Sequence, residues 1–137
     1  MKELSIQDIE LIVKLIKKQE EKYARLVAEK EKFANYGLGH DQHELCELKE
    51  RLDKVQVNLQ KVVSNPINDL SDLDIKTTLN ILTVGQMNYE NWIKRNHLRK
   101  ESDNYFKNLI KETKKMVKKL TNYLNERKRK DEFSNKN

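Results

Sequence analysis

Leu45, Leu48, Leu52, Val55, Leu59 and Val62 follow one another at spacings of 3, 4, 3, 4 and 3 residues. That rhythm is the seam of an amphipathic helix packed along its length against a neighbour, because a strand would need period two. A seam of five steps requires a partner of similar length, and one precedes it. Ile9, Ile12, Ile16, Gln19, Tyr23, Leu26, Lys30 and Phe33 alternate the same spacings, with Gln19 and Lys30 as polar interruptions. Tyr36-Gly37-Leu38-Gly39-His40 separates the two stretches. So short a connection leaves adjacent helices little choice but to pack antiparallel. The chain of 137 residues has three Gly and one Pro, and 36% of it is charged. That turn inventory argues against multi-strand sandwiches and glycine-loop nucleotide folds.

The expected fold is therefore all-α. A coiled-coil-like antiparallel hairpin occupies residues 1–64, and a short acidic linker residues 65–71. A third helical region and a basic C-terminal helix, in the same domain, occupy residues 72–130, and a frayed tail residues 131–137. Capping residues mark the helix starts: Ser5 with Asp8, Asp41 with Glu44, Ser71 with Asp74. Asn65-Pro66 ends the second helix, since proline lacks the N–H and restricts the residue before it. Around the first helix, Leu11 and Leu15 widen the seam on one side and Ile6 and Val13 on the other. A single hairpin partner does not cover so broad a band, so a second copy of the chain is expected there, as a homodimer. Residues 73–98 read as helix with apolar side chains on several faces. Either that helix is buried on several sides or it breaks near Gly85.

Charge is segregated along the chain. Residues 1–64 are neutral overall, residues 65–90 carry −3 and residues 91–137 carry +9. On a helix over 103–128, Lys107, Lys111, Lys114, Lys115 and Lys118 fall within an arc of about 100° opposite the apolar face. Glu112 falls outside that arc, and Arg127, Lys128, Arg129 and Lys130 prolong the charge. A solvated face would show both signs, as the outer face of the first helix does. Lysines without acids between them suit phosphates, or an acidic protein patch recognised by the same stripe. These nine residues are the expected partner-binding set.

A second segment, Leu79–Arg95, resembles a helix-turn-helix in its spacing. Leu79 and Leu82 would hold the first helix and Thr83-Val84-Gly85 the turn. Tyr89 and Trp92 would form the buried side of a recognition helix, with Gln86, Asn88, Asn91 and Arg95 facing base edges. The resemblance covers 17 residues and departs from the motif at Leu79, where a small residue is preferred, and at Thr83, where a glycine is. It implies a DNA-binding regulator with the hairpin as a dimerisation arm.

His43, Cys46 and Glu47 share one helical turn and are the only metal-ligating grouping of note. Zinc sites pair two such clusters, and no second one exists, so no metal and no cofactor are expected. Cys46 otherwise reads as a small buried thiol at a helix start. Neither a nucleophile elbow nor an isolated carboxylate pair is present, which argues against an enzyme with a small-molecule substrate. No apolar run reaches the roughly 18 residues needed to cross a bilayer. The single cysteine fits a reducing, cytoplasmic setting. The expected function is macromolecular recognition by a small regulator, adaptor or inhibitor, of the kind that phages and mobile elements encode.

Overall fold

The computed structural model describes residues 4–34, 39–65, 67–95 and 100–135, with side chains except at 33, 34, 39–41, 68, 100–103 and 131–135. These residues form four helices: α1 (Ile6–Ala34), α2 (Gly39–Ser64), α3 (Asp72–Arg95) and α4 (Lys100–Asn135). Among the described residues there is no strand. The protein is an all-α helical bundle made of two antiparallel hairpins, α1 with α2 and α3 with α4.

Two of the predicted caps are formed. The Ser5 hydroxyl accepts from the Asp8 amide at 3.1 Å, and the Asp8 carboxylate accepts from the Ser5 amide at 3.3 Å. The Ser71 hydroxyl accepts from the Asp74 amide at 3.1 Å. Each satisfies donors that a helix start leaves without partners. Residues 36–38 of the predicted turn and the side chain of Asp41 lie outside the described residues; α2 runs from Gly39, so residues 39 and 40 are helix ahead of the predicted cap.

The order of helices is legible in their polar contacts. Lys30 of α1 pairs with Glu44, while Glu20, earlier in α1, lies beside Asp53 and Gln56, later in α2, so the two helices run in opposite directions. Asn58 of α2 donates to the Thr78 hydroxyl of α3 at 3.0 Å, and Lys61 pairs with Asp74 at 3.1 Å. Lys119 of α4 pairs with Asp8 at 2.9 Å and Lys14 with Glu112 at 3.5 Å, which lays α4 antiparallel to α1 as well. The core between them is built from Ile12, Leu15, Ile16, Ile75, Leu82, Met116 and Leu120, all essentially sealed from solvent.

The structure bears on four sequence expectations. First, α3 is one continuous helix through Gly85. Gly85 is buried, and the Gln19 side chain occupies the space a Cβ would need. The glycine therefore serves close packing rather than a break. Second, α4 begins at Lys100 and continues through Asn135, so residues 131–135 are part of the helix. Third, the connection at 65–71 is more than a linker. A 3-10 turn at Ile67–Asp69 carries Ile67 and Leu70 into the core, where both are buried. Fourth, Leu15 is buried and Leu11 half-buried within one chain, because α4 lies against that side of α1. The breadth of the band on that side reflects a bundle with more than one intramolecular neighbour. Ile6 stays exposed.

Candidate functional site

The outer face of α4 is the site the sequence singles out, and its geometry follows from which positions the bundle consumes. Leu109, Thr113, Met116, Leu120, Tyr123 and Leu124 are buried inward. What remains exposed between Asn104 and Lys130 is Asn, Lys, Arg and Thr, with the single addition of Tyr105. Lys107, Lys111, Lys114, Lys115 and Lys118 are all exposed. At 1.5 Å per residue their stripe is about 16 Å long, and Arg129, on the same arc, lengthens it to about 33 Å. The two acids of the segment, Glu112 and Glu126, are half-buried and leave the exposed face free of negative charge.

Ion pairing inside the molecule scarcely neutralises this face. Among the described residues Lys114 is the only stripe lysine with a carboxylate near it, and Glu90 lies 3.9 Å away. The acids elsewhere are committed differently: Glu112 lies by Lys14, Asp8 by Lys119, Asp74 by Lys61. Lysines held apart by one helical turn and facing water keep their positive potential outward.

Arg127 belongs to a different task. Its guanidinium donates to the Leu70 carbonyl at 2.6 Å and lies 3.6 Å from the Asp72 carboxylate. It clamps the 3-10 turn against α4 and faces the bundle rather than the lysine arc. Lys128, Arg129 and Lys130 are exposed.

The base-reading arrangement at 79–95 is not formed. That arrangement needs a turn at Thr83–Gly85, and α3 passes through it as helix. Tyr89 is buried and Trp92 half-buried, as that reading placed them, but within a helix that packs on α1 and α4. The Gln86 amide donates to Glu90 at 3.1 Å, Asn88 is half-buried, and Asn91 and Arg95 are exposed.

His43 and Glu47 lie 3.2 Å apart as a simple helical pair. Cys46 is exposed rather than buried, because it lies outside the α2 seam. Among the described residues no group of three potential ligands converges to hold a metal. No helix among them is long and apolar enough to cross a membrane.

A feature that sequence reasoning missed lies between α1, α3 and α4. Tyr89, Trp92, Tyr105 and Phe106 line a groove whose α1 wall carries Lys18, Lys22 and Arg25. The signal was hard to find, since the aromatics come from two helices and the cations from a third. Lys18 Nζ lies 5.3 Å from the Tyr105 ring centroid. Hydrogen bonding to Tyr105 is the main cause holding the Lys18 ammonium above its ordinary pKa, with burial working against it. Lys22 is pushed below its ordinary value, first by burial and then by the charge of Arg25.

Fold and surface together define a class: a small helical bundle with one cationic helix face that is free of exposed acids among the described side chains. Comparison of the chain with protein-family models, with curated proteins and with solved structures gives no match in any of the three.

Proposed function

We propose that the protein is a non-enzymatic macromolecule-binding regulator, adaptor or inhibitor whose α4 face lies along a nucleic-acid backbone. The observation that carries the reading is the composition of that face. Five lysines and Arg129 share one arc, with Asn and Thr between them and no exposed acid. Phosphates form a continuous row of anions with acceptor oxygens, and such a face offers cations and amide donors to match. The reading predicts affinity with little choice of sequence, because lysine contacts phosphate as a point charge. The exposed thiol of Cys46 favours a reducing, cytoplasmic compartment for this activity.

The test is binding of a labelled duplex by fluorescence anisotropy across a salt series. Changing Lys107, Lys111, Lys114 and Lys118 to Gln leaves helicity nearly intact, since the two residues have similar helix propensity. The variant should bind far more weakly. Its slope of log affinity against log salt should be shallower by up to roughly four units, at about 0.9 for each phosphate it no longer neutralises. Absence of duplex binding by the unaltered protein at low salt would overturn the nucleic-acid reading. If affinity capture after nuclease treatment then retains a protein partner that the four-residue variant fails to hold, the same face serves an acidic protein patch.

A further inference from the structure

The groove between α1, α3 and α4 has the size and chemistry of a ligand site. Its volume is about 630 Å³, within the roughly 300–1,000 Å³ of small-molecule pockets. Trp92 and Phe106 pack with ring centroids 4.5 Å apart at a tilt of 38°, and Tyr105 meets Phe106 edge-on at 5.4 Å. Tyr105 remains 48% exposed, far more than a core aromatic. Across the groove, Lys22 is half-buried and Arg25 sits one turn along the same helix. Among the described residues neither cation has a carboxylate within ion-pair distance, although Glu21 and Glu29 also line the groove. A half-buried ammonium beside a guanidinium is repelled and partly desolvated, and an anion entering the groove relieves both.

A flat ring stacks on the exposed Tyr105 and the half-buried Trp92, a phosphate bridges two adjacent cations, and the Asn88 amide supplies a donor and an acceptor for a ring edge. An aliphatic anion would use the cations but neither the stacking surface nor the amide. We propose that this groove binds a nucleotide, with its base against Tyr105 and Trp92 and its phosphate at Lys22 and Arg25. The nucleotide is either free or an unpaired residue of a strand. The strand-borne case rests on the nucleic-acid reading of α4, whereas the free-nucleotide case stands without it.

Trp92 is the only tryptophan of the chain, so its emission, excited beyond the absorption of the five tyrosines, reports on this groove. The full-length protein is titrated with adenosine monophosphate, with single-stranded oligodeoxyadenylate and with inorganic phosphate. Saturable quenching by the mononucleotide identifies the free ligand, and quenching by the oligonucleotide only identifies the strand; either supports the site. Lys22→Ala with Arg25→Ala should raise the apparent Kd at least tenfold. Tyr105→Ala should weaken binding by roughly 5- to 150-fold, the range for one stacked base. Far-ultraviolet circular dichroism checks that each variant keeps its helices. No quenching by either nucleotide probe at millimolar concentration overturns the proposal, as does quenching that survives the cation double variant unchanged. An equal response to inorganic phosphate overturns the role of the base. Duplex affinity, measured separately, reports on the α4 lysines, so either reading can fail without the other.

Discussion

Gly85 sits in the middle of α3, where glycine ordinarily costs about 1 kcal/mol relative to alanine. A Cβ there would meet Gln19 Nε2 at 2.5 Å and Cδ at 2.8 Å. The Gln19 amide is held in place, donating to the Tyr89 hydroxyl at 2.9 Å in a site only 2% exposed. Its Oε1 is enclosed without a hydrogen bond, so this polar pair is already under-satisfied. Gly85→Ala should therefore fail to gain its helical propensity, because displacing the amide strands the Tyr89 hydroxyl at a cost of about 1–3 kcal/mol. In a Gln19→Ala background the same substitution should stabilise by about 1 kcal/mol. A double-mutant cycle followed by urea unfolding checks this reversal of sign. Gln19 was legible as a break in the α1 seam and Gly85 as an oddity in α3. Their union was not, since they lie far apart in sequence and periodicity within one helix says nothing of what faces it from another. Asp8 offers a second residue-scale test. The Lys119 hydrogen bond, ahead of burial that acts oppositely, holds its carboxyl below the ordinary 3.8. A lowered folded-state pKa gives stability that is present above the unfolded value and is lost as pH falls through the folded one. Asp8→Asn should thus be less stable than the unaltered protein at neutral pH. The gap should narrow as pH drops below about 4, measured by thermal unfolding across an acid series.

At the scale of the element, regularity of pattern and depth of burial part company. The α2 seam is the cleanest in the chain, yet Leu48, Leu52 and Leu59 are only half-buried, and Val55 and Val62 alone are sealed. The α1 seam carries two polar interruptions but supplies Ile12 and Ile16, with Leu15 beside them, to the deepest core. The reason is position in the bundle. α2 packs mainly on α1, whereas α1 also contacts α3 and α4. A heptad pattern records one packing partner, and a second or third neighbour broadens it and makes it look less regular. That is why the four helices and their order were readable, while the unbroken course of α3 and the core role of Ile67 and Leu70 were not. The turn-like Thr83-Val84-Gly85 is ordinary helix once Gln19 fills the space beside the glycine. The lysine arc was readable because solvent-facing positions depend on one helix alone; the groove needed three. Leu15→Ala should cost about 2–5 kcal/mol, as a fully buried leucine does. Leu52→Ala should cost clearly less, about 1–2 kcal/mol, because part of its surface already meets water. Equal losses in urea unfolding would mean that α2 is covered in solution by something beyond this chain.

For the whole molecule, the apolar band at residues 6–16 decides whether one chain suffices. As a sequence pattern it is too wide for a single partner helix, which is why a homodimer is expected from it. Within the bundle Leu15 is 2% exposed and Ile12 and Ile16 are sealed, so one chain provides the cover for most of that band. Among the described residues the large apolar side chains left outside are Ile6, Val57, Val63, Leu73, Met87 and Tyr105, spread over all four helices. Exposed single apolar residues are normal on monomers. Net charge works in the same direction. The chain carries +6, and the exposed cations of α4 would repel a second copy presenting the same face. Light scattering at micromolar concentration and moderate salt should therefore return the 16.4 kDa of one chain. Raising the salt screens the repulsion without creating an apolar interface, so the mass should stay constant across the series. A species of twice that mass, dispersed by Ile6→Lys, would overturn this reading and place an interface at the start of α1, where the bundle leaves Ile6 open to solvent.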